Sequence, residues 1–194
     1  MAQAQEPEEL LVARARRGDP AAFGVLVERH QDALFNGIHR MVRRREDAED
    51  LAQEAFVKAY RAIGGFEGRS SLFTWLYSIA INLVISHRRK MGSKRRLNPV
   101  SLSEGSDDDG RGFEVEDSTE RPDATVERYE LRGQIEQAIS QLEDDYRDVV
   151  VLRDIEGFDY ETIAGLLGCP QGTVKSRLHR ARLALREQLK DVVA

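Results

Sequence analysis

The segment YETIAGLLGCPQGTVKSRLHR, from Tyr160 to Arg180, predicts the structure of the C-terminal part of this chain. Gly168 tolerates a positive φ, so it suits the end of a first helix, and Pro170 suits the start of a second. Ala164 is small where two helices would cross, and Val174 is apolar where a wedge under the second helix is needed. This spacing predicts a helix-turn-helix, a motif that docks a helix on DNA.

The predicted second helix has one apolar and one basic face. The apolar stripe consists of Val174, Leu178, Ala181, Leu185 and Leu189. Between residues 171 and 190 there are six Lys or Arg residues against one Glu, a net charge of +5. A solvated face that contacts only phosphates is the alternative, but behind such a turn we predict contacts with base edges as well. The predicted contact residues are Thr173, Lys175, Ser176, Arg177, His179, Arg180 and Arg182.

Charge is strongly segregated along the 194 residues, although the whole chain has a net charge of only −5. Residues 81–100 contain six Lys or Arg and no acid, a net charge of +6. Residues 101–130 contain eleven Asp or Glu against three Arg, a net charge of −8. Two basic surfaces on either side of an acidic connector indicate two contacts with nucleic acid.

Several function classes are disfavoured by the sequence. The single cysteine, Cys169, excludes an internal disulfide and a Cys-based zinc cluster, and four scattered histidines have no metal-ligand spacing. No phosphate loop, nucleophile elbow or paired catalytic carboxylates occur. We therefore expect no enzyme, no cofactor, no metal and no small-molecule substrate. A polar, acidic N-terminus and the lack of a long apolar run lead us to expect a cytoplasmic protein.

The helical patterns predict an all-α fold with two small domains joined by a flexible acidic linker. The first domain is predicted over 8–92, the linker over 93–125 and the second domain, with four helices, over 126–192. Asp19-Pro20 should cap the second helix, and Gly64-Gly65 should stop the third. The fourth helix should begin after Ser70-Ser71 and end near Met91-Gly92.

The third helix is predicted to have an acidic outer face opposite buried Ala48, Leu51, Ala55 and Phe56. Asp47, Asp50 and Glu54 follow one another at helical spacing and define what we call the acidic stripe. A solvated face is the usual meaning of such a run of charge. The functional interpretation is a docking surface for a basic partner.

The fourth helix and the loop before it suit single-stranded nucleic acid. One face of this helix combines an aromatic ring, small polar groups and a basic end, and we call it the Trp75 face: Trp75, Ser78, Asn82, Ser86 and Arg89. The loop GGFEGRSS (64–71) should place Phe66 and Arg69 at its tip, where an extruded base could be held. The alternative is that Trp75 and Phe73 belong to the core and that the loop only connects.

Four motifs together resemble the extracytoplasmic-function (ECF, group IV) sigma factors, which are two-domain subunits of bacterial RNA polymerase. The motifs are DAEDLAQEAFVKAY (47–60), FTWLYSIAINLV (73–84), IEGFDYETIA (155–164) and GTVKSRLHRARLALR (172–186). The F-x-G-x-S pattern at 66–70 lies between the first two. The resemblance covers nearly the whole chain and implies a promoter-specificity subunit that directs initiation at alternative, stress-type promoters.

The resemblance also implies partners and residue roles. The third helix would dock on the clamp helices of the polymerase's largest subunit, through Asp47, Asp50, Gln53 and Glu54. The first domain would melt the −10 element and capture its non-template strand, with Asn82 near a flipped base. The −10 set is Lys58, Arg61, Phe66, Arg69, Ser70, Phe73, Trp75, Asn82, Arg88 and Arg89.

The remaining implications concern the second domain, the linker and regulation. The segment 175–182 would enter the major groove of the −35 element, and the second domain would meet the flap of the second-largest polymerase subunit. The linker would thread the polymerase cleft, and an anti-sigma factor would be a further partner. A free-standing helix-turn-helix regulator is the alternative function, and it predicts tight duplex binding without polymerase.

Overall fold

The computed structural model describes residues 6–97 and 122–190, and every regular element within those ranges is helical. The chain divides into two compact units, Met1–Lys94 and Arg95–Ala194. The prediction of an all-α protein with two helical domains is therefore confirmed. Most of the predicted linker, residues 98–121, lies outside the described residues, so its conformation stays a prediction.

The first unit contains four α-helices and one short 3-10 turn. They are α1 (Glu8–Arg16), α2 (Pro20–Val42), α3 (Arg45–Ala62), the turn Ile63–Gly65, and α4 (Leu72–Leu97). Asp19 caps α2 as predicted, because its Oδ1 accepts hydrogen bonds from the backbone N–H groups of Ala21 at 3.0 Å and Ala22 at 3.2 Å. Arg14 also donates to the Asp19 carboxylate, which ties the end of α1 to the start of α2.

Small residues on α3 allow it to pack closely on the larger side chains of its neighbours. Ala48, Ala55 and Ala59 are fully buried, and the core also contains Leu34 and Ile38 of α2 together with Leu76, Tyr77 and Ala80 of α4. The predicted burial of Ala48, Leu51 and Ala55 is confirmed. Phe56 is only half-buried, contrary to the prediction, because it lines an open groove between α2 and α3 together with half-buried Val27.

Helix α4 is longer than the sequence predicts. It continues to Leu97, past the end predicted at Met91-Gly92. Gly92 lowers helix propensity by about 1 kcal/mol, which one residue in a long helix tolerates. The following SKRRL segment contains good helix formers, and Pro99 is the next strong breaker in the sequence.

The second unit contains four helices, as predicted. They are α5 (Pro122–Gln141), α6 (Asp144–Val150), which continues into one π-helical turn (Val151–Ile155), α7 (Tyr160–Leu167) and α8 (Gln171–Gln188). Gly157 and Gly168 separate the last three helices, which confirms that part of the prediction. The buried core combines Val149, Val151 and Leu152 with Ile163 of α7 and Val174, Leu178 and Ala181 of α8.

None of the helices in the two described ranges combines the length and apolar character that a membrane span requires.

Candidate nucleic-acid interface

The turn between α7 and α8 has the geometry that the sequence predicts. Asp159 caps α7, since its Oδ1 accepts a hydrogen bond from the Thr162 N–H at 2.7 Å. That hydrogen bond is the main reason why the pKa of Asp159 lies below its ordinary value. Gly168 ends α7 in the left-handed region, with φ at 62°, and its N–H donates to the Ala164 carbonyl. A side chain at this φ would be strained, which explains the glycine.

The buried face of α8 fixes the helix and leaves its basic face outward. Val174 and Ala181 are completely buried, and Leu178 nearly so, whereas Leu185 and Leu189 are half-buried. Of the predicted −35 residues, only Thr173 and Arg177 are half-buried. The exposed ones are Lys175, Ser176, His179, Arg180 and Arg182. A contiguous basic surface on one helix suits a duplex groove.

Two arginines of this surface form ion pairs with acidic residues of the preceding elements, which the sequence did not predict. Arg177 pairs with Asp145 of α6. Arg182 binds Asp154 in bidentate fashion, with Nε–Oδ2 and Nη2–Oδ1 distances of 3.1 Å and 2.5 Å. The hydrogen bond to Asp154 is the main cause of the raised pKa of Arg182. Arg180, by contrast, is exposed and makes no ion pair within the described part of the chain.

The loop before α4 differs from the prediction at Phe66. Its side chain is 7% exposed instead of standing at a loop tip, and its ring packs on Trp75 with centroids 5.1 Å apart. The reason is the 3-10 turn before it, closed by a hydrogen bond from the Phe66 N–H to the Ile63 carbonyl at 3.0 Å. Gly68 has a φ of 74°, a positive value at which the loop before α4 changes direction. Arg69 and Ser70 are exposed, as predicted.

The Trp75 face carries polar groups that are bonded to their own helix. Ser78 Oγ donates to the Trp75 carbonyl, Asn82 Nδ2 to the Ser78 carbonyl and Ser86 Oγ to the Asn82 carbonyl, at 2.7, 2.8 and 2.7 Å. Trp75 and Ser78 are half-buried, while Asn82, Ser86 and Arg89 are exposed. The predicted face therefore exists, with side chains held by local bonds that a bound base could replace.

Other predicted −10 residues have varied surroundings. Phe73 is half-buried, and its ring contacts Tyr77 and His30 at centroid distances of 4.9 Å and 5.7 Å. Arg88 donates from Nη2 to the Met41 carbonyl at 2.7 Å, so it joins α4 to α2. The exposed Lys58 pairs with Glu54 at 3.0 Å, and Arg61 is exposed. Phe73 is thus partly covered by other aromatic side chains, and Arg88 is already hydrogen-bonded within the first unit.

The acidic stripe is not uniformly exposed. Asp50 and Glu54 face solvent together with Gln53, as predicted. Asp47 was predicted on the same outer face, but it is half-buried, and its Oδ2 lies 3.5 Å from Nε2 of His87 on α4. The reason is tertiary: His87 of α4 lies against this carboxylate and shields it in part from solvent. Gln53 also lines the groove between α2 and α3, whose apolar residues include Phe35 and Val57.

Within residues 6–97 and 122–190, no group of three or more His, Cys, Asp or Glu side chains is arranged to hold a metal ion.

Two family models match the chain. Residues 26–94 match sigma-70 region 2, and residues 132–185 match sigma-70 region 4. The first match contains the acidic stripe, the loop and the Trp75 face. The second contains the whole helix-turn-helix. The candidate surfaces thus fall in two separate regions defined for one family.

Curated relatives and solved structures agree with these matches. The chain is 40% identical to RNA polymerase sigma-H factor from Pseudomonas aeruginosa, over 97% of each chain. It is 35% identical to ECF RNA polymerase sigma-E factor from Escherichia coli, again over 97% of each.

Among solved structures, the chain is similar to the sigma factor RpoE from Bartonella quintana, crystallised with the anti-sigma factor NepR. The TM-score is 0.68 at 28% identity, covering 87% of this chain and 96% of that one. It is also similar to CnrH in complex with the cytosolic domain of CnrY, with a TM-score of 0.63 at 25% identity, covering 96% and 99%. By its sequence motifs, its two helical units and these likenesses, the chain belongs to the ECF sigma factors, the promoter-specificity subunits of RNA polymerase that serve alternative promoters.

Proposed function

We propose that this sigma factor divides promoter recognition between its two units. The first unit would bind core polymerase through α3 and capture the −10 non-template strand with the Trp75 face. The second unit would read the −35 duplex with α8. The observation that carries this proposal is the basic face of α8, which is held outward by fully buried Val174 and Ala181.

For the polymerase contact, we assign the exposed part of the acidic stripe together with Gln53. Asp50 and Glu54 offer carboxylates to a basic surface, and the adjoining groove offers apolar area next to them. Such a combination of apolar floor and polar rim is typical of protein interfaces. The clamp helices of the largest subunit are the proposed partner, and the half-buried Asp47 belongs to the same predicted set. The flap of the second-largest subunit is the proposed partner of the second unit.

An anti-sigma factor is a further proposed partner, because similar solved sigma chains are in complex with such proteins. We also propose that the protein acts in the cytoplasm, where polymerase and promoter DNA are found, and that it is not an enzyme.

Transcription from randomised promoters tests the division of labour. Purified full-length protein would be mixed with bacterial core polymerase and a pool of promoters with random −10 and −35 segments. We expect transcripts from a subset that shares two spaced motifs. If the protein does not co-elute with core and yields no transcripts, but binds duplex DNA alone, the free-standing regulator replaces this proposal.

Single variants then test each contact surface. Arg180→Ala should weaken use of the selected promoter by about 1–3 kcal/mol and relax selection at one −35 position. Arg186→Ala is the matched control, since Arg186 is an exposed arginine on the same helix outside the predicted set. Asp50→Asn with Glu54→Gln should weaken co-elution with core, whereas Glu28→Gln on α2 should not. Equal effects in the paired variants would refute the assignment.

A further inference from the structure

Tyr160 lies beside two cations that come from different parts of the second unit. Lys175 Nζ lies 5.6 Å from the centre of the Tyr160 ring, and the Arg153 guanidinium carbon lies 4.9 Å from it. Tyr160 is the first residue of α7, Lys175 is exposed on α8, and Arg153 lies in the π-helical turn. Both distances fall within the range of cation–π attraction.

Packing of the core of the second unit does not depend on the contacts of the Tyr160 ring with these two cations. The helix-turn-helix already packs through fully buried Ile163 and Val174, while Tyr160 is half-buried at the edge of the unit. Arg153 is also held independently, because its Nη1 donates to the Phe158 carbonyl at 2.7 Å. Of the two cations, Lys175 is therefore the one whose position depends on the ring. A lysine side chain has many rotamers, and ordering it before binding lowers the entropy cost of the contact.

We propose that Tyr160 is a positioning residue for −35 recognition, whose ring holds the Lys175 ammonium group in place at the N-terminal part of α8. This inference rests on the proposed function, in which α8 reads the −35 duplex. Lys175 touches DNA, and Tyr160 acts through it. The contact joins the first helix of the motif to the reading surface of the second, so α7 contributes to recognition as well as to support.

A mutant cycle on the selected promoter tests the inference. The measured quantity is the ratio of transcription from the intact promoter to transcription from the same promoter with a scrambled −35 element. Tyr160→Phe keeps the aromatic face, so this ratio should stay within about two-fold of wild type. Tyr160→Leu removes the face and should lower the ratio about two- to five-fold, the range expected for an exposed cation–π contact. In a Lys175→Ala background, Tyr160→Leu should have no further effect.

Controls separate positioning from folding. Tyr146→Leu changes another half-buried tyrosine in the same unit and should leave the ratio unchanged. The inference is overturned if Tyr160→Phe is as harmful as Tyr160→Leu, if Tyr160→Leu keeps its full effect without Lys175, or if Tyr146→Leu lowers the ratio equally. If wild type itself shows no dependence on the −35 element, the proposed function fails, and this inference fails with it.

Discussion

Helices α4 and α8 carry the two candidate DNA surfaces, and their side chains are held in different ways. On α4, Ser78, Asn82 and Ser86 are bonded to carbonyl groups of their own helix. On α8, Arg177 and Arg182 are held by carboxylates of neighbouring elements. One surface is therefore organised locally by neutral hydrogen bonds, and the other by charges that come from elsewhere in the unit.

The two kinds of support suit the two surfaces to different ligands. Neutral polar groups around an aromatic ring favour unstacked bases, whose stacking on that ring depends little on salt and adds to the charge contacts of the backbone. Paired arginines favour phosphates, which can take over from Asp145 and Asp154 when DNA arrives. Binding by α8 should therefore fall more steeply with salt than base capture by α4.

Removing one surface while keeping the other is the strongest test of their independence. Val174→Asp places a charge in the fully buried wedge under α8 and should lower the stability of the second unit by about 3–5 kcal/mol. Residue-resolved hydrogen exchange should show lost protection in α6 to α8 and retained protection in α1 to α3. Leu183→Asp, at a side chain 53% exposed on the same helix, should be nearly neutral. Equal loss in both units would contradict separate cores.

Removal of the Trp75 ring on α4 should have the next largest energetic effect. Trp75→Ala deletes a stacking platform and should cost about 1–3 kcal/mol of −10 strand binding. Trp75→Phe should recover a large part of this loss, since it keeps an aromatic face. Binding of full-length holoenzyme to DNA with a pre-opened −10 segment measures the effect. The loss should be similar at low and high salt, and a loss that disappears at high salt would contradict the contrast with α8.

Features that depend on neighbouring residues were predicted well, and features that depend on distant partners were not. The cap at Asp19 and the turn at Gly168 follow from local rules of helix ends, and both are confirmed. The Arg182–Asp154 pair spans 28 residues, and the pairing of Asp47 with His87 joins two helices. No local pattern specifies such pairs, because they arise from how helices pack. Phe66 was misplaced partly for the same reason: the local 3-10 turn sets its backbone, but its burial comes from the contact with Trp75.

A pair of glycine substitutions tests how far the turn sets the α8 surface. Gly168→Ala should destabilise the second unit by about 1–2 kcal/mol because of its positive φ, although a methyl group there would touch nothing within 4 Å. Gly165→Ala in α7 also meets no atom within 4 Å, and its backbone is helical, so it should stabilise by about 0.5–1 kcal/mol. Denaturant titration of each variant measures both shifts. Stabilisation by both changes would show that the positive φ at Gly168 carries no cost.

The pH dependence of stability distinguishes the helix caps of the two units. The pKa of Asp159 is lowered mainly by the Thr162 hydrogen bond, and that of Asp19 mainly by Arg14. A lowered folded-state pKa stabilises the fold above the ordinary Asp value of about 3.9, and this contribution is lost as pH falls through the folded pKa. Asp19→Asn and Asp159→Asn should therefore be less stable than wild type at neutral pH, with the difference shrinking in acid.

Added salt distinguishes the two caps in the same denaturation experiment. Because Asp19 faces a guanidinium group, salt should reduce the deficit of Asp19→Asn through screening of the ion pair. Asp159 faces the backbone N–H of Thr162 and has no guanidinium group at ion-pair distance among the described residues, so salt should reduce the deficit of Asp159→Asn less. Equal salt sensitivity would show that both caps act through charge. In that case the Arg14–Asp19 ion pair would add no salt-sensitive stability to the first unit beyond what a helix cap alone provides.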